Sequence, residues 1–348
     1  MELEQINKIA NKKIISKRII GIEILRMFLC FRIILLHYYS GNNRYILKMK
    51  SNTFQVSTFF FISFYFLYPI ISQINFVKLK LRLERLLIPY IIYPIIVWII
   101  NNLMFLITKF NRFNRLLTIN ELKLNLIIGR GIFGIGVLWF HFNLLIFTLL
   151  FFISSFYMKG YFLMIFQILS SISYIIQYSR NNYNFFQQFN YNISLSVGSL
   201  IETFPIAIFA FSLASINIFK IFLKNRLKYI YFSCFFLYLI LNYNIYSYLE
   251  GYSSTGIYNN IIAFFLFNIF FLAPFEILNS KILHIILQLT KYTQGIYCLH
   301  FLIQQYIRKK FDENGSFIGC FILYIISYIF SFIGFKIFEK TKLKSLFS

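Results

Sequence analysis

Long apolar runs alternate along the chain with short polar, mostly basic segments. Runs at 19–39, 54–74, 86–107, 134–156, 161–178, 194–216, 229–248, 256–275, 292–310 and 317–338 carry few charges. A bilayer-spanning helix needs about 20 mostly apolar residues. In hydrocarbon only helices and closed barrels satisfy every backbone hydrogen bond, and runs of this length suit helices. The pattern predicts an all-α fold, a multi-pass transmembrane helical bundle of about ten helices. The run from 292 is the most interrupted by polar residues. Segments between runs are too short for soluble domains of ordinary size. A basic cytosolic tail at 1–17 and a single integral membrane domain at 18–348 are expected. The first run is too long and too charged for a cleaved signal, so it reads as an uncleaved anchor.

Composition supports a membrane setting, with 59% hydrophobic and 22% aromatic residues among 348. The formal charge of +23 would point to nucleic acid in a soluble chain. Here the cations flank apolar runs, as the positive-inside rule requires, so the partner is the lipid bilayer and no nucleic acid. With ten spans and a cytosolic N-terminus, inner segments hold 20 Lys and Arg against 12 in outer ones. Both termini are therefore expected in the cytosol. The segment 108–131 puts five cations outside, and an amphipathic segment in the interface is the alternative for it.

Other features narrow the chemistry. Cys30, Cys234, Cys298 and Cys320 show neither zinc spacing nor a disulfide framework, and read as inert buried thiols. Asp312 is the only aspartate. No paired-carboxylate or metal site is expected, and Glu202, Glu250 and Glu276 receive no role. Gly129-Arg-Gly-Ile-Phe-Gly134 matches a dinucleotide fingerprint by letters alone. It lacks the strand–helix context and the later acidic residue that would give the match meaning. Residues 181–190 read as a polar loop.

Four places carry side chains that hydrocarbon penalises. In the first run, Glu23, Arg26 and His37 fall on one helical face. Eleven steps of about 100° return His37 to within about 20° of Arg26, about 16 Å further along the axis. Intramembrane charges are expensive and usually functional. Arg32 lies about 120° from Arg26 and is expected to face elsewhere or to snorkel. At the start of the third run, Lys78-Leu-Lys-Leu-Arg-Leu-Glu-Arg85 sets Arg82 and Arg85 three apart on one face, suited to phosphate through bidentate guanidinium forks. Leu138-Trp139-Phe140-His141 and Gly295-Ile-Tyr297-Cys-Leu-His300 add an indole, a phenol and two imidazoles. Each of these could line a cavity or serve packing and the interface.

Together these segments resemble acyltransferase family 3, a family of integral membrane O-acetyltransferase-like proteins. Ile22-Glu23-Ile-Leu-Arg26 with His37 is similar to that family's first-span arginine and histidine. Phe59-Phe60-Phe61-Ile62-Ser63-Phe64 resembles its second-span motif, with Phe64 where glycine is usual. Glu23 replaces the usual aspartate. Arg82-Leu-Glu-Arg85 and the following Pro89-Tyr90 resemble its third-span motif. Leu138-Trp139-Phe140 and Ile296-Tyr297-Cys-Leu-His300 resemble later landmarks. The likeness covers residues 18–305 in order.

The resemblance implies acyl transfer, commonly of acetyl, from cytosolic acyl-CoA (acetyl-CoA) to a hydroxyl of a glycan or other carbohydrate-containing acceptor. It further implies acyl-CoA binding by Arg82 and Arg85. His37 would act as base or acyl carrier, and Arg26, held by Glu23, would meet the thioester oxygen. Trp139, His141, Tyr297 and His300 are further candidates. The other open readings are a transporter or flippase of glycan precursors and an inactive family member. No internal repeat of the kind transporters carry is visible.

Overall fold

The computed structural model describes residues 2–39, 54–108, 115–128, 138–158, 161–182, 191–242, 257–275, 278–310 and 315–347. Side chains of the first 19 residues are not among those described. The segment 129–134, residues 183–190, Glu250, Glu276 and Asp312 lie outside the described residues. All ten apolar runs carry helix. The helices are α1 Glu2–Tyr38, α2 Phe54–Tyr65, α3 Tyr68–Ser72, α4 Phe76–Thr108, α5 Ile119–Ile128, α6 Leu138–Met158 and α7 Phe162–Asn182. They continue with α8 Tyr191–Ser215, α9 Ile218–Phe222, α10 Arg226–Asn242, α11 Ile257–Leu272, α12 Ser280–Thr290, α13 Thr293–Lys310 and α14 Phe317–Ile337. No strand occurs among the described residues.

The architecture is an all-α, multi-pass membrane bundle. By length and composition, Phe54–Ser72, Phe76–Ile107, Trp139–Tyr157 and Phe317–Ile337 can each cross a bilayer. Shorter apolar helical stretches lie at Leu163–Ser173, Ser199–Ser215, Asn259–Leu272 and Lys281–Thr290. Exposed Ile, Leu and Phe side chains cover the outside of α4, α6, α10 and α14, as a lipid-facing surface requires.

α2 sits at the centre, packed against α1, α8 and α11. Its phenylalanines do the packing. The Phe60 ring lies 4.5 Å from Phe140, and Phe61 lies 4.9 Å from Phe267. Phe64 is fully buried and meets Phe147 and Phe151 at 5.9 and 5.7 Å. α1 packs against α11, α12, α13 and α14. Gly21 permits this, because a Cβ there would stand 1.9 Å from the Phe270 carbonyl oxygen. α6 runs antiparallel to α4, with Phe76 against Phe152 at 5.4 Å and Tyr90 against Phe142 at 6.0 Å.

Several expectations are refined. The run 54–74 is broken between α2 and α3, where Pro69 in the first turn of α3 has no N–H to continue the hydrogen-bond ladder of α2. The basic tail is drawn into α1, which begins at Glu2. Arg32 does not snorkel. It is 6% exposed, and its guanidinium carbon lies 4.3 Å from the centre of the Phe54 ring, a cation–π contact that offsets part of the burial cost. Cys30, Cys298 and Cys320 are buried, but Cys234 is exposed, because it lies on the outward side of α10.

Within the segment 108–131, residues 115–128 are described and contain the helix α5. Thr118 and Glu121 cap α5 reciprocally, Thr118 N–H donating to Glu121 at 2.7 Å and Glu121 N–H to the Thr118 hydroxyl at 3.3 Å. This capping box satisfies two amides that the helix start leaves open. Trp98 and Asn102 donate to the Leu117 carbonyl at 2.9 and 3.0 Å, and Tyr90 donates to that of Leu126. These anchor points are about 14 Å apart on α5 and about 12–18 Å apart on α4, at a rise of about 1.5 Å per residue. α5 therefore runs back along α4.

The C-terminal 3-10 turn Lys342–Leu346 also packs on α4. Tyr93 donates to the Leu346 carbonyl, and Lys342 Nζ meets Glu84 at 3.1 Å.

Candidate functional site

The site begins with how α4 starts. Ile74 adopts a positive φ of 48° and turns the chain out of α3. Asn75 then accepts from the Lys78 amide at 2.9 Å, a side-chain cap of the usual kind. Lys78, Arg82 and Arg85 follow at helical spacing and reach one cavity of about 480 Å³. Glu84 stands between the two arginines in sequence, but Lys342 holds it on another side of the helix. The one acid of the segment is thus diverted from the cavity.

Arg82 is fixed by both neighbours. Its Nη2 donates to the Ser63 carbonyl at 3.1 Å, and its Nε to the Thr148 hydroxyl at 3.4 Å. The first bond closes the last turn of α2, where helix carbonyls lack intrahelical partners. Ser63 lines the cavity while Phe64 packs toward α6. The bulky residue at the usual glycine position therefore fills a helix interface rather than the cavity. Gln294 donates to the Arg85 carbonyl at 3.3 Å, tying the start of α13 to α4.

α1 contributes Glu23 and Arg26, joined by a 2.6 Å ion pair one turn apart. The turn between α12 and α13 contributes Lys291, whose Nζ lies 3.8 Å from the Phe335 ring centre. Arg26, Lys78, Arg82, Arg85 and Lys291 thus share one cavity with a single carboxylate, already paired with Arg26. Phe59, Phe140, His141, Leu144 and Tyr297 line the same cavity. His141 is 3% exposed.

Of the residues singled out from sequence, six meet in this cavity: Glu23, Arg26, Arg82, Arg85, His141 and Tyr297. Three do not line it. Trp139 packs 5.7 Å from Phe60. His300 is fully buried one turn beyond Tyr297, with Nδ1 3.2 Å from the Ile296 carbonyl oxygen. His37 is exposed at the far end of α1, its ring 4.4 Å from Phe301 and 6.0 Å from His300. Its carbonyl accepts from Gln304 at 2.9 Å. Arg26 and Tyr297 line the cavity and His37 does not; His37 lies beside His300 and Phe301 of α13. Lys291, Thr293 and Gln294 escaped the sequence reading, because the turn before α13 and the polar start of that helix show no apolar periodicity.

An acyltransferase-domain family profile matches residues 19–336. The chain belongs to the acyltransferase 3 family. This acyltransferase thus carries the family domain over nearly its whole length, and the cavity lies within it. No curated protein and no solved structure matches the acyltransferase. Among its described residues, no group of three His, Cys, Asp or Glu side chains is arranged to hold a metal ion.

Proposed function

We propose that this membrane acyltransferase takes an acyl group, acetyl in the first instance, from cytosolic acyl-CoA and delivers it to a hydroxyl of a carbohydrate acceptor. The observation that carries the reading is the convergence of five cations on one cavity that is also lined by aromatic rings and an imidazole. Coenzyme A has the matching polarity, with phosphates at one end and a thioester at the other. Forked guanidinium donors suit phosphate oxygens, and the volume lies within the range of ligand pockets. On this reading the basic end of the bundle, with both termini, faces the cytosol.

Arg82, held by Ser63 and Thr148, and Arg85 bind the coenzyme phosphates, with Lys78 and Lys291 adding field. Arg26, oriented by Glu23, anchors coenzyme A in the cavity, and the acyl end must pass Tyr297 for the thioester to meet His37. His37 takes the proton of the acceptor hydroxyl as general base. The alcohol approaches from the far end of α1, where His37 is exposed. The donor and acceptor thus reach the reaction from opposite ends of the bundle.

The test is a screen of acyl-CoAs against the detergent-purified protein, followed by mass spectrometry of surface glycans from cells with and without the gene. Binding of a short-chain acyl-CoA together with loss of one glycan acylation supports the proposal. Absence of acyl-CoA binding, or transport of a labelled glycan lipid without it, overturns it.

A further inference from the structure

Three rings of the cavity wall touch one another. Phe59 stands 5.7 Å from Tyr297 and 6.0 Å from Phe140, and Phe140 stands 5.5 Å from Tyr297, centre to centre. They come from α2, α6 and α13, and all three line the cavity. Each of these helices is also tied to the arginine pair. Ser63 and Thr148 hold Arg82, and Gln294 donates to the backbone of Arg85. At about 1.5 Å per residue, the ties lie about 6 Å along α2 from Phe59, about 12 Å along α6 from Phe140 and about 5 Å along α13 from Tyr297. The rings thus meet at one place, about one to two helical turns from the residues that hold the arginines. Packed side chains back this cluster. Phe140 stands 4.5 Å from the fully buried Phe60, and Tyr297 stands 6.2 Å from the fully buried His300. Close-packed interiors yield little, so this part of the wall keeps its shape.

We infer that Phe59 and Phe140 measure the acyl group of the donor and hold the site to short chains. The inference rests on the acyl-CoA reading above. With the coenzyme phosphates on Arg82 and Arg85, the acyl chain is the apolar end of the ligand. The three rings are the largest apolar side chains on the cavity wall, and they are the matching surface for it. Each methylene taken out of water is worth about fourfold in binding, so a longer chain gains wherever there is room. Packed rings withdraw that gain, because a chain that presses on them meets the cost of overpacking. Tyr297 completes the cluster at the point the acyl end must pass. Chain length is therefore judged at the rings, before transfer, by side chains that hold neither phosphate nor acceptor.

The test reads a ratio rather than an affinity. Acetyl-CoA, butyryl-CoA and unacylated coenzyme A are titrated into detergent-purified wild type, Phe59→Ala and Phe140→Ala. The quantity compared is butyryl-CoA affinity relative to acetyl-CoA affinity. Wild type is expected not to favour butyryl-CoA. In the variants the ratio should rise by about 4- to 15-fold, the worth of one to two admitted methylenes. General loosening of the site weakens both donors alike and leaves the ratio where it was. Phe64→Leu is the control, because Phe64 is buried against Phe147 and Phe151 and does not line the cavity. It should leave the ratio unchanged. Should an alanine variant fail to fold, Phe59→Leu or Phe140→Leu takes its place, with a smaller rise in the same direction. A rise at either position supports the inference. An unchanged ratio at both positions overturns it, as does an equal rise in Phe64→Leu or a wild type that prefers butyryl-CoA. A wild type that binds neither acetyl-CoA nor coenzyme A overturns the acyl-CoA reading instead.

Discussion

Replacing Arg82 by alanine separates two things this guanidinium does. Toward the protein, it closes the end of α2 through Ser63 and touches Thr148 at 3.1 and 3.4 Å. Toward the cavity, it presents its remaining donors beside Arg85. Loss of one charge-assisted hydrogen bond to phosphate costs about 1.5–3 kcal/mol. At about 1.4 kcal/mol per decade, coenzyme A should bind roughly 10- to 150-fold more weakly. The lost cap on α2 costs a further ~1 kcal/mol of stability, readable separately as a lowered melting temperature. Thr148→Val removes only the longer bond and should weaken binding about fivefold or less, consistent with a contribution below about 1 kcal/mol. Arg82→Lys should fall between, because it keeps the charge but loses the fork. The assay is isothermal titration of coenzyme A into the detergent-purified variants, with a thermal melt of each. Arg82→Ala binding within twofold of wild type, on a folded protein, would refute the phosphate assignment.

Three further outcomes are expected. His37→Ala should lower kcat by about 10²- to 10⁴-fold without changing acyl-CoA affinity, measured by radiolabelled acyl transfer. Gly295→Ala would bring a Cβ within 2.6 Å of the Ser331 hydroxyl and 2.9 Å of Phe347 Cα. It should cost about 1–3 kcal/mol through overpacking, seen as reduced thermal stability. Between the spans, the Arg115 guanidinium first, and then the Thr118 donors, hold the Glu121 carboxyl down to about 2 from 4.5. A carboxyl lowered on folding contributes fully above its unfolded value and loses that contribution as pH falls toward its folded one. Trp98 fluorescence, sensitive to the nearby Leu117 anchor, should therefore change between pH 4.5 and about 2. In Glu121→Gln that pH-dependent change should be absent.

The helices were legible because hydrocarbon imposes a length and a polarity on each run, and all ten runs carry helix. The cationic half of the cavity was legible for a similar reason. Arg82 and Arg85 share a face by local geometry, and so do Glu23 and Arg26. What the facing elements bring was not legible. Nothing near Arg82 in sequence points to Ser63 or Thr148, and nothing in the α12–α13 turn marks Lys291 as a cavity residue. Periodicity sets His37 on the Arg26 face, but the structure brings only Arg26 to the cavity and leaves His37 against His300 and Phe301. The return of α5 along α4 depends on Trp98, Asn102 and Tyr90 meeting backbone carbonyls, contacts without sequence periodicity. Arg32 does not share the cavity with Arg26, as its angle about the helix requires, but instead of snorkelling like a lone cation it lies over an aromatic ring.

The final turn, Lys342–Leu346, is anchored to α4 at Tyr93 and Glu84, and α4 is the same rod that bears the paired arginines. Handling of the tail is thus transmitted to the ligand end. An affinity tag or fluorescent reporter joined directly behind this turn would pull on that rod. Reporters for mapping membrane orientation belong behind a long spacer or at the opposite terminus, if the activity is to be measured in the same molecule.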